Sequence, residues 1–193
     1  MIARHRHVTC LAFVLVACCG CPGATSAADA CRSGLQAGQR PGPYAALVAT
    51  GPERGQSYCF ICETADRPAV IVFARSLSDP LGKLVHELDL ALGRHKTAEL
   101  RAWVTFLSDD QTSLDPKVVQ WGQKHATGNV PLAVFEDLGG PPSYRLARDA
   151  DVTILLSVRQ RVLTNFAFRT GELTEARVAE VLRAVAQVVA DKK

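Results

Sequence analysis

AVIVFARSLSDPLGKLVHELDLALG, residues Ala69 to Gly93, decides the fold. Its first six residues, Ala69-Val70-Ile71-Val72-Phe73-Ala74, form an unbroken apolar run rich in β-branched side chains, the pattern of a strand buried on both faces. Asp79-Pro80 then marks a helix start, with a carboxylate expected at the N-cap and Pro at the first helical position. Leu81, Leu84, Val85, Leu88 and Leu92 recur at helical spacing, and Gly93 closes the segment. A doubly buried strand followed by an amphipathic helix puts the chain in the α/β class.

Downstream, residues 102–107 (Ala-Trp-Val-Thr-Phe-Leu) read as a second central strand. Asp115-Pro116 repeats the helix start, with Val118, Val119 and Trp121 behind it and Gly128 as the stop. Residues 131–135 form a short strand, and Gly139-Gly140-Pro141-Pro142 a turn. Residues 153–158 and 162–168 pair as a hairpin across Arg159-Gln160-Arg161. Thr174 caps a final helix whose apolar face is Val178, Val181, Leu182, Val185, Val188 and Val189, with Leu173 and Val178 placed as a hydrophobic staple.

Upstream, Cys31 to Pro43 is an irregular Gly- and Pro-rich lead-in. Residues 44–49 read as a short strand and residues 57–61 as its return, which sets Cys59 and Cys62 at the end of a hairpin. The expected architecture is an α/β sandwich with a mixed central β-sheet flanked by helices.

The first thirty residues read as an address. Arg4, His5, Arg6 and His7 make a basic head, Val8 to Cys19 an apolar run, and Ala28-Asp29-Ala30 a small-x-small cleavage site. The apolar run is shorter than the roughly 20 residues a spanning helix needs. Leu15-Val16-Ala17-Cys18 also resembles a lipobox, and membrane attachment is expected only if Cys18 is lipidated. The expectation is a signal peptide over residues 1–30, one domain over residues 31–193, and a periplasmic or secreted location. With 22 Lys and Arg against 19 Asp and Glu, interspersed, nothing points to nucleic acid.

Several stretches resemble the thioredoxin-like superfamily, and within it the peroxiredoxin and redoxin branch. Gly38-Gln39-Arg40-Pro41-Gly42-Pro43-Tyr44 is similar to the Gly-x-x-x-Pro-x-Phe lead-in of that branch. Val119 to His125 followed by Leu132 to Asp137 is similar to its helix and strand end, and Val162 to Leu173 to its last strand and the Gly before the closing helix. The chain looks like an exported, uncharacterised member. The resemblance implies a reactive cysteine at the start of the helix after the first central strand, but Asp79-Pro80 stands there. It also implies a proline in the loop facing that site, where this chain has Asp151-Val152-Thr153. Asp79 is then read as a structural N-cap.

Of seven cysteines, four (Cys10, Cys18, Cys19, Cys21) fall in the signal segment, leaving Cys31, Cys59 and Cys62. Cys59-Phe60-Ile61-Cys62 offers three chemistries. It forms a structural disulfide, within the pair or with Cys31, or a reversible dithiol with Cys31 as a resolving partner. Its third possibility is one edge of a metal site, which needs Cys31 and a histidine to complete it. The flanks Tyr58, Phe60 and Ile61 suggest a strand or turn, not a helix start. No metal or other cofactor is expected. Two functions remain open: a thiol–disulfide couple through Cys59 and Cys62, or a redox-inactive module that binds a protein partner and uses its disulfide as a staple. His86 is read as pointing to solvent, and His95 and His125 as helix C-terminal cations.

Overall fold

The computed structural model describes residues 1–2 and 29–190. Residues 3–28 of the expected signal segment, with the Cys18 lipobox, lie outside the described residues. In chain order the elements are β1 (Ala46–Thr50), β2 (Ser57–Tyr58), α1 (Phe60–Thr64), β3 (Ala69–Ala74), α2 (Asp79–Arg94), β4 (Arg101–Leu107), α3 (Gln111–Lys124), β5 (Leu132–Phe135), β6 (Val152–Val158), β7 (Arg161–Phe168) and α4 (Glu175–Ala190). The strands form one mixed sheet in the order β2-β1-β5-β4-β3-β6-β7. Strands β3, β4 and β5 run parallel; β1, β6 and β7 are antiparallel to their neighbours.

The connections explain the layering. β3–α2–β4 and β4–α3–β5 step the same way across the sheet, so two right-handed crossovers put α2 and α3 on one face. Side-chain alternation in β3 sends Val70, Val72 and Ala74 to that face, where they meet Leu81, Leu84 and Leu88 of α2, Trp121 of α3 and Val181 and Val185 of α4. Ala69, Ile71 and Phe73 point to the other face and meet Leu35, Tyr44, Phe60, Ile61, Trp103 and Tyr144. Every residue of β3 is buried, which is why its sequence is an unbroken apolar run. Each large core side chain contributes roughly 1.5–3 kcal/mol of transfer free energy.

The second face has no long helix, and the lead-in covers it. Ser33 Oγ lies 2.7 Å from Thr153 Oγ1, and Asn165 Nδ2 donates to the Ser33 and Leu35 carbonyls at 3.0 Å each. Gly38 and Gln39 exchange backbone hydrogen bonds with Val162 of β7 at 2.8 and 2.9 Å. Gly34 has a φ of +83°, and a Cβ there would lie 2.7 Å from Thr153 Cγ2, so the segment can lie this close to β6 only with glycine.

Four readings are corrected. The strand expected over residues 57–61 stops at Tyr58, and Phe60 begins α1, because Phe60 and Ile61 bury together against the sheet, as a strand's alternating side chains cannot. α3 begins at Gln111, four residues before Asp115-Pro116, because Asp110 Oδ1 accepts from the Ser113 amide at 2.9 Å and caps the helix earlier; Pro116 lies inside it. Ser78 holds the N-cap of α2, and Asp79 is its first residue, with its carboxylate turned to other partners. His86 is half-buried, and its Nδ1 is enclosed. The final helix matches the expected staple: Thr174 Oγ1 accepts from the Arg177 amide at 3.4 Å, and Leu173 and Val178 are both buried.

Candidate functional site

β2 pairs with β1 through Ala46 opposite Tyr58, and the chain then dives onto the sheet. Phe60 stacks on Trp103 with ring centroids 5.6 Å apart, and Tyr58 packs edge-on against Phe60 at 4.9 Å. This anchoring forces a single helical turn. Cys59 is its N-cap, and Cys62 lies in the turn itself. The Cys62 amide donates to the Cys59 carbonyl at 3.2 Å, and the two side chains are joined in a disulfide with Cα atoms 5.4 Å apart. Thr64 Oγ1 donates to the Phe60 carbonyl at 2.8 Å. The Arg67 guanidinium donates to the Glu63 and Thr64 carbonyls, closing the C-terminal end. The dithiol thus opens a helix, contrary to the strand or turn expected from its flanks.

The two sulfur-bearing residues differ in exposure. Cys59 is half-buried among the aromatic residues of the second face, whereas Cys62 is exposed. Phe60, Glu63 and Thr64 of the same turn line a cleft of about 540 Å³ that neither cysteine lines. Phe60, Leu100, Ala102 and Trp103 form its apolar wall, and Glu53, Glu63, Arg67 and Arg101 its charged rim. Sequence reasoning missed this cleft. Its one signal was the adjacent pair Phe60-Ile61, too apolar to belong to a free loop.

Cys31 stands apart. It is a free, half-buried thiol in the field of Asp149, Arg169 and Glu172. Burial, and then the Asp149 carboxylate, push its thiol above the usual range, and Arg169 opposes the shift. Arg169 follows β7, at the opposite edge of the sheet from β2. The fold therefore joins Cys59 to Cys62 and leaves Cys31 elsewhere.

At the start of α2, Asp79 Oδ1 lies 2.6 Å from Lys124 Nζ and 3.4 Å from His125 Nε2. The hydrogen bond and charge of Lys124 hold this exposed carboxyl below its usual range. The His125 ring occupies the space a Cβ at position 82 would need, so glycine is required inside α2. A buried helical glycine was the available sign of this close approach. Ser76 Oγ donates to Asp151 Oδ2 at 2.7 Å, and the peptide bonds of residues 151–153 are trans. This place contains no thiol and lies on the helix face, opposite the face that carries Cys59.

Among the described residues no group of three His, Cys, Asp or Glu is placed to hold a metal ion. No described helix is long and apolar enough to cross a membrane.

The sheet order, two right-handed βα units and closing hairpin and helix make this a thioredoxin-like fold. It superposes on a candidate protein disulfide isomerase from Bacteroides thetaiotaomicron at TM-score 0.60 and 14% identity, covering 82% of this chain and 93% of that one. A candidate thiol:disulfide interchange protein DsbE from Chlorobium tepidum gives 0.54 and 17%, over 78% and 99% of the two chains. Yeast mitochondrial 1-Cys peroxiredoxin gives 0.58 and 12%, over 82% and 78%. No protein-family model matches the chain, and no curated protein matches it.

Proposed function

We propose that the chain is an exported thiol–disulfide couple in which Cys59 and Cys62 interchange between disulfide and dithiol. The observation that carries this reading is a disulfide in which one cysteine is half-buried and the other exposed. A size argument supports it. The bridge spans a sequence separation of 3, so it closes a loop of four residues. Loop entropy for so short a closure stabilises by only about 2 kcal/mol, against about 4.7 kcal/mol for a loop of 100 residues. Phe60 and Ile61 already fix α1 by burial, so a staple here adds little.

The second reading, a redox-inactive module that binds a partner, draws on Asp79 and Val152 standing where the resemblance implies a cysteine and a proline. A turnover assay separates the two. The oxidised protein should convert a peptide dithiol to its disulfide while its own pair becomes reduced. The double variant Cys59→Ser/Cys62→Ser should be inert. Equal, background-level rates for both proteins would leave only the module. Export rests on the N-terminal pattern. Intact-mass analysis of the native protein should show a chain beginning near Cys31, and a retained Met1 would refute export.

A further inference from the structure

We infer that the pair works in reverse order: Cys62, the second cysteine of the motif, is the catalytic residue that bonds to substrate, and Cys59 resolves. The inference rests on the redox reading above and specifies its mechanism. Disulfide exchange needs the attacking sulfur in line with the bond it breaks, so the attacked sulfur must be open on the side away from its partner. Cys62 is exposed on α1. Cys59 is half-buried and flanked by Tyr58 and Phe60, whose rings close on each other at 4.9 Å, while Phe60 stacks on Trp103 behind them. Substrate sulfur therefore reaches Cys62 more readily than Cys59.

The steps balance. A substrate thiolate attacks Cys62 Sγ, the Cys59–Cys62 bond breaks, and Cys59 leaves with the electron pair as a thiolate. A mixed disulfide now joins substrate to Cys62. A second substrate thiol, deprotonated, attacks the substrate sulfur of that bond and expels Cys62 as a thiolate. Two substrate thiols have become one disulfide, their two protons pass to Cys59 and Cys62, and two electrons rest on the pair. An external disulfide restores the oxidised form by the reverse sequence.

The test compares the single variants Cys59→Ser and Cys62→Ser of the chain beginning near Cys31, each reacted with oxidised glutathione and with an aromatic disulfide, the site of the mixed disulfide being read from the peptide map. Cys59→Ser, which keeps Cys62, should form the mixed disulfide at least about tenfold faster, because accessibility sets the rate of exchange. Faster reaction by Cys62→Ser would overturn the assignment. Limited alkylation of the reduced wild-type protein provides a check independent of variant folding. Iodoacetamide should mark Cys62 before Cys59 in the peptide map, and the opposite order would contradict the inference. Failure of the underlying reading looks different: the wild-type protein would not turn over a peptide dithiol, whichever single variant reacted faster.

Discussion

A network of three polar side chains holds the second face together. Trp103 Nε1 donates to Tyr44 OH at 2.9 Å, and Tyr44 OH lies 2.8 Å from Thr105 Oγ1, all buried. Tyr44→Phe strands an indole N–H and a hydroxyl in the core, so we predict a loss of about 2–3 kcal/mol in denaturant unfolding. Burial pushes the Tyr44 hydroxyl up to about 12, with Thr105 and Trp103 opposing, and burial raises Tyr144 as well. The folded chain therefore keeps a proton that the unfolded chain gives up near pH 10. Stability from this source is complete below pH 10 and falls as pH rises from 10 toward 12; Tyr44→Phe should flatten that fall in pH-dependent melting. On the helix face, Gly82→Ala should cost about 1–3 kcal/mol by overlap with the His125 ring. His125→Ala should restore the loss in the double variant, since Ala is the better helix former. A double variant as unstable as Gly82→Ala alone would contradict the contact.

Elements follow local chemistry where one signal dominates and depart from it where two compete. β3 was legible because all six of its residues are buried and all six are apolar, so its sequence is an unbroken apolar run. The start of α3 was not, because Asp110 and Asp115 both offer a cap and only the first reaches an amide, that of Ser113. The cysteines were legible as a pair, but their helix was not: α1 exists because Trp103 and the sheet surface bury Phe60 and Ile61, contacts distant in sequence. The turn between β6 and β7 shows local preference overruled. Arg159 and Gln160 have φ of 51° and 56°, the left-handed region of a tight hairpin turn, with neither Asn nor Gly present. Arg159→Asn with Gln160→Gly should raise stability by about 1 kcal/mol in thermal melting, with no change in the chemistry at Cys62. A loss of stability would contradict the turn geometry.

At the scale of the molecule, one sheet carries two differently covered faces. Three long helices pack the first, and the lead-in, α1 and the Tyr144 turn cover the second. The place where the resemblance implies a thiol holds Asp79, tied to Lys124 and His125, and the dithiol sits on the other face. That division was only half visible in the sequence: the vacancy at Asp79 could be read directly, but the opposite placement of Cys59 depends on strand order. Because α1 is anchored by its aromatic packing, opening the bridge should cost the fold only about 2 kcal/mol. For a domain of this size that is a fall of about 4–8 °C in melting temperature, measurable on the reduced protein. The most direct measurement is the reduction potential of the Cys59–Cys62 pair in a glutathione series, with the fold followed by circular dichroism. The account predicts a potential above about −300 mV, in the range of oxidoreductases, and a reduced form that stays folded. A potential below about −300 mV, with the fold melting as the bridge opens, would contradict it.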